Sequence, residues 1–143
     1  MSDTEAPAAA ARRLIRSQNT ATLATNLAAG DGWPYASLVL TACDHDGSPL
    51  LLISGLAEHT KNITADPRVS LLFDGTAGLA DRLTGARATV LGRAERSQEP
   101  HHRERFLARH PSAAMYAGFG DFAFYRVSIA RTHLVAGFGR IHW

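Results

Sequence analysis

LLLISGLAEHTKNITADPRVSLLFD, residues Leu50 to Asp74, is the stretch from which the architecture is read. An apolar segment, Leu50 to Ile53, runs into a small-residue turn at Ser54 and Gly55, then a short polar helix, then Pro67, then a second apolar segment, Val69 to Phe73. The pattern is strand, turn, helix, strand. Amides at the start of such a helix lack intrahelical partners and carry positive partial charge. With Ser54, His59, Thr60, Lys61 and Asn62 around them, they suit a phosphate, such as the anionic end of a nucleotide. The same polar side chains also serve simply to cap and solubilise a helix between two strands, and spacing alone slightly favours that plainer reading.

The rest of the composition narrows the class. A chain of 143 residues fits one domain, 1–143, and 45% hydrophobic with 20% charged residues supplies an ordinary core. Net charge is +2, with 15 Lys and Arg against 13 Asp and Glu, which is not a nucleic-acid-binding balance. The lone cysteine, Cys43, excludes an intramolecular disulfide and reads as a buried filler. No segment approaches the roughly 20 apolar residues of a membrane span. The N-terminal MSDTEAPAAAARRLIR lacks the apolar centre of a signal peptide, so a cytoplasmic protein with no membrane attachment is expected.

Read in order, residues 1–7 are expected to be disordered, and Ala8 to Ser17 is an Ala-rich helix with a solvated arginine face at Arg12, Arg13 and Arg16. Thr20 to Leu27 and Pro34 to Ala42 are strands joined by a hairpin at Gly30, Asp31 and Gly32. Asp44, His45, Asp46 and Gly47 form a turn; three adjacent turn residues cannot all converge on one ion, so no metal is assigned there. The helix at 57–65 stops before Pro67. A Gly-rich loop from Asp74 to Asp81 leads to the longest strand, Arg82 to Glu95, and Ser97 caps a helix from Gln98 to Arg109. His101 and His102 are adjacent on that helix and are expected to diverge as solvated histidines. A short helix at 112–117, strands Phe122 to Ile129 and Thr132 to Val135, and two Gly-Phe-Gly triplets complete the chain. Neither triplet is a dinucleotide fingerprint; close backbone approach or a floor beneath a ligand is the expected use. Six or seven short strands with few helices between them point to an antiparallel barrel or sandwich.

Ser54 to Phe73, with Pro34 to Val39, Leu83 to Glu95, Gly118 to Arg126 and Gly137 to Arg140, resembles the pyridoxamine 5'-phosphate oxidase-like FMN-binding split barrels, and within them the HugZ-like haem-utilisation branch. The resemblance implies a mainly β (α+β) fold, a six-stranded antiparallel split β-barrel with peripheral helices. It implies a homodimer with FMN at the subunit interface and a small-molecule substrate. Carried over by position, Ser37, Leu38, Val39 and Leu40 pass the flavin ring, while Ile53 and Ser54 lie on the neighbouring strand. His59 takes a phosphate-binding position with Thr60 and Asn62 in reach, and Arg87 approaches the flavin from the partner-facing wall. In the oxidases an arginine stands at Ser37 and a lysine at Ala42, so two phosphate cations are replaced here. Each charge-assisted hydrogen bond contributes about 1.5 to 3 kcal/mol.

The function expected from the resemblance is therefore an FMN-dependent oxidoreductase. The alternatives are a HugZ-like haem-binding or haem-degrading protein, with His133 and His142 as candidate iron ligands, and a non-enzymatic flavin carrier. A deazaflavin in place of FMN is also compatible. Haem is placed second because HugZ-like proteins bind it with help from a C-terminal extension.

Overall fold

The computed structural model describes residues 5–143. The expectation for residues 1–4 lies outside them. Glu5 makes a bidentate ion pair with Arg13 (2.8 and 3.0 Å), and Pro7, whose missing donor costs nothing in a first turn, opens helix α1 (Pro7–Ser17).

The strands are β1 (Thr20–Asn26), β2 (Pro34–Leu40), β3 (Ala42–Cys43), β4 (Pro49–Ser54), β5 (Arg68–Asp74), β6 (Arg87–Ser97), β7 (Phe122–Gly137) and β8 (Arg140–His142). The helices after α1 are α2 (Glu58–Ala65), α3 (Pro100–Arg109) and α4 (Ala114–Ala117), with 3₁₀ turns at Arg82–Thr84 and Pro111–Ala113. All strand pairings are antiparallel, in the order β2-β1-β5-β6-β7-β4-β3, with β8 added to β7.

The two ends of this order, β2 and β3, are separated in the chain by Thr41 alone. The segment from Pro34 to Cys43 thus pairs with β1 through its first part and with β4 through its last, and β2 lies against β4 without a ladder between them. The sheet curls into a barrel that is open at this seam. Counting the broken segment once and setting β8 aside turns eight strands into the expected six.

The interior explains the apolar patterns. Leu23, Val39, Leu51, Ile53, Leu71, Phe73, Val90 and Val127 fill the barrel, and Ile63 of α2 joins them. Leu50 and Leu52, on the other face of β4, pack beneath α3 and α4 with Phe106, Ala113 and Ala117. Both faces of β4 are covered, so its sequence reads as an unbroken apolar run. Ala10 and Leu14 of α1 pack on Ala88, Leu134 and Ala136. No helix of the described residues is long and apolar enough to cross a membrane.

Several expectations need correction. Arg82 to Ala86 is not strand: Asp81 accepts a hydrogen bond from the Leu83 amide and caps a 3₁₀ turn, so β6 begins at Arg87. Ser97 ends β6, and although its hydroxyl accepts from the Glu99 amide, α3 starts at Pro100. The two C-terminal strands are one, β7, because a bulge opposite Leu91 and Gly92 absorbs Ala130 without ending the ladder. Arg16 is not simply solvated; it donates to the His45 carbonyl at 2.7 Å. Of the Gly-Phe-Gly glycines, Gly137 makes the expected close backbone approach, since a Cβ there would lie 3.2 Å from the Thr84 carbonyl oxygen, whereas Gly118 and Gly120 face open space and Gly139 (φ 70°) turns the β7–β8 hairpin.

Candidate functional site

The ten sequence-predicted site residues do not converge. Ser37 and His59 do meet: the Ser37 hydroxyl and His59 Nδ1 are 3.0 Å apart where β2 passes the start of α2. Burial pushes the half-buried His59 below its usual pKa, so it is neutral near pH 7. The adjoining Thr60 hydroxyl is buried without a partner.

The other polar members are engaged elsewhere. Ser54 donates to Asp121 Oδ2 at 2.9 Å and accepts from the Leu56 amide at 3.0 Å. Asn62 is fully buried; its amide donates to Thr25 Oγ1 (3.0 Å) and its oxygen accepts from the Ala28 amide (2.9 Å). Arg87 donates to the carbonyls of Leu83 (2.9 Å) and Gly85 (3.3 Å) in its own loop. Val39 and Ile53 point into the barrel core, whereas Leu38 and Leu40 point outward. Within one chain, a flavin phosphate at this point would meet the unpartnered Thr60 hydroxyl and the His59 imidazole.

The outer face of the barrel carries a different arrangement. Directly paired residues share a face, and the register sets His133, Thr89, Leu72, Thr22 and Leu38 in one row across β7, β6, β5, β1 and β2. The neighbouring row is Arg131, Leu91, Ser70, Ala24 and Ala36. A cleft of about 560 Å³ opens along it, floored by Ala24, Ser70, Leu91 and Ala130 and rimmed by Arg68 and Arg93. Leu38 is 74% exposed, unusual for an apolar strand residue.

At one edge Trp143 packs against His133, ring centroids 4.5 Å apart and planes tilted by 39°, and Arg131 lies 4.0 Å over the indole. His142 is different: it pairs with the buried Leu134, so it sits on the face opposite His133. The structure separates these two histidines. Leu72, Thr89, Leu91 and Arg131 were unassigned in the sequence; the alternation of β5 and β6, which puts a leucine outward on each, was the available signal.

A second cluster also departs from expectation. His101 and His102 do not diverge: their Nε2 atoms lie 3.3 and 2.8 Å from the same oxygen, Oδ2 of Asp44. They occupy the first turn of α3, which packs on the end of β3, and Asp44 sits between them. The His102 side chain is 5% exposed, not solvated.

An antiparallel barrel split at one seam, with helices α1 to α4 around it, defines the split-barrel class. The profile described as Pyridoxamine 5'-phosphate oxidase matches residues 8–136, and the chain belongs to this family. It is 41% identical over 110 residues to the protein named non-canonical heme oxygenase HOZ, chloroplastic, from Arabidopsis thaliana, a match covering 75% of this chain and 33% of that protein. It is 33% identical to a heme binding protein from Mycobacterium smegmatis, with a TM-score of 0.89 over 99% of this chain and 58% of that one. The heme storage protein HutZ from Vibrio cholerae shares the fold at 19% identity, with a TM-score of 0.69 over 88% of this chain and 91% of that one. The chain spans about a third of the chloroplast protein and somewhat over half of the mycobacterial one.

Proposed function

We propose that this protein binds haem on the outer face of its barrel, with His133 as the iron ligand. The observation that carries the reading is the row His133, Thr89, Leu72, Thr22 and Leu38, which sets an imidazole in line with two outward leucines and two threonines on the outer face of the barrel. A planar apolar macrocycle suits such a row, and Arg131 beside His133 suits a propionate. Relatives named for heme binding and heme oxygenase support the same ligand class. Bound haem would supply iron redox chemistry; the chain's own residues would hold the ring, keep water from its face and pair its carboxylates. Trp143 would form a wall against the ligand or swing aside from His133. A single copy leaves this face open, so we include a second copy of the chain as the cover over Leu38 and Leu72.

FMN is the second reading. The buried, unpartnered Thr60 hydroxyl beside the Ser37–His59 pair favours it, since phosphate oxygens would satisfy that hydroxyl.

Titration of purified protein with haemin, and separately with FMN, decides between them. A Soret band that survives gel filtration and weakens at least roughly tenfold in His133→Ala supports the haem site. Retained flavin without a Soret band replaces it with the flavin reading, and a Soret band unchanged in His133→Ala removes His133 as ligand. Loss of the Soret band on adding a reductant in air would extend binding to haem degradation.

A further inference from the structure

We propose that Asp44, His101 and His102 form a binding site for a divalent transition metal such as zinc, which ties α3 to the turn between β3 and β4. Two imidazole nitrogens and one carboxylate oxygen are the donor set that borderline divalent metals prefer. The three ligand atoms lie within 4.8 Å of one another. In a tetrahedral zinc site, bond lengths near 2.1 Å place neighbouring ligand atoms about 3.4 Å apart. His101 Nε2, 3.3 Å from Asp44 Oδ2, is already close to that, and His102 Nε2, at 2.8 Å, needs to retreat by about 0.6 Å.

The surroundings orient these atoms. Ser97 Oγ lies 2.5 Å from His102 Nδ1, which leaves Nε2 turned toward Asp44, the arrangement in which an outer partner fixes a ligand imidazole. The His45 amide donates to Asp44 Oδ1 at 2.7 Å, leaving Oδ2 for the ion. His101, with 46% of its side chain exposed, leaves an open side for a water as fourth ligand.

Of the neighbouring charges, Arg105 is turned to the Cys43 carbonyl (2.7 Å) and the His45 ring (3.4 Å), and Glu99 lies 4.0 Å from His101 on its other nitrogen. Ser97, His102 and Asp44 resemble a hydrolytic triad in composition only. His102 is too enclosed to deliver a proton to a substrate. The metal site shares no residue with the proposed haem face, since Asp44 follows β3 and His101 and His102 lie on α3, whereas the His133 row is made by β7, β6, β5, β1 and β2.

The test is zinc titration of the chelator-stripped full chain by competition with a chromophoric indicator, with melting followed in parallel. One tight equivalent is expected. His101→Ala, an exposed position that leaves the fold intact, should weaken it roughly tenfold or more, as should Asp44→Asn, while His142→Ala should not. Zinc should raise the melting temperature of the wild type but not of His101→Ala. Absence of a tight equivalent, or one retained by His101→Ala, overturns the site and leaves only a histidine–carboxylate contact.

Discussion

Asn62 has no exposed surface, and both ends of its amide are used, one on Thr25 of β1 and one on the Ala28 amide of the following turn. Asn62→Ala would strand both partners, and a loss of about 2 to 3 kcal/mol in urea unfolding is expected. His59 makes a pH prediction. Its folded pKa lies below the unfolded value of about 6.5, so the unfolded chain binds the proton more readily. Stability is therefore complete above that value and declines as pH falls through it. The urea midpoint of the wild type should drop between neutral and mildly acidic pH more than that of His59→Gln; parallel profiles would reject the assignment. These residues also show how far the site was legible. The H-T-K-N run identified a polar, conformationally committed stretch, but a one-dimensional pattern does not say whether Asn62 faces a ligand or the interior. Nor does it reveal that His101 and His102 share a carboxylate more than fifty residues away.

At the scale of elements, the β6–β7 ladder is the longest in the molecule and carries the bulge that keeps it continuous past Ala130. Gly92 sits at this irregularity. A Cβ there would run into the Ser128 carbonyl oxygen and lie 2.8 Å from Val127 Cγ1. Gly92→Val is expected to cost about 2 kcal/mol or more, read as a lowered denaturant midpoint. Leu14→Ala, which empties the contact of α1 with Ala88 and Leu134, should cost about 2 to 4 kcal/mol in the same assay. Most strands were recognisable from their own apolar alternation. The bulge was not, because Ala130 and Arg131 interrupt the alternation and look like a loop between two strands until β6 supplies the pairing. The 3₁₀ turn at Arg82 was hidden by the regular alternation that follows it.

For the whole molecule, Leu38 and Leu72 are outward leucines on one face of the barrel that a single copy leaves exposed. Leu72→Glu leaves the barrel interior untouched. It should shift the wild-type sedimentation profile toward monomer and reduce haemin binding together; a dimer that persists unchanged would place the interface elsewhere.

β4 is flanked by barrel core on one side and by α3 and α4 on the other, with β7 along one edge. Local fluctuations that lift α2, the β7–β8 hairpin or the 3₁₀ turn leave its amides shielded. In native-state hydrogen exchange, those amides of Leu51, Leu52 and Ile53 that bond to β7 should then be among the last to take up deuterium, exchanging only when the entire chain unfolds, while the alternate amides, which face the seam, should exchange sooner.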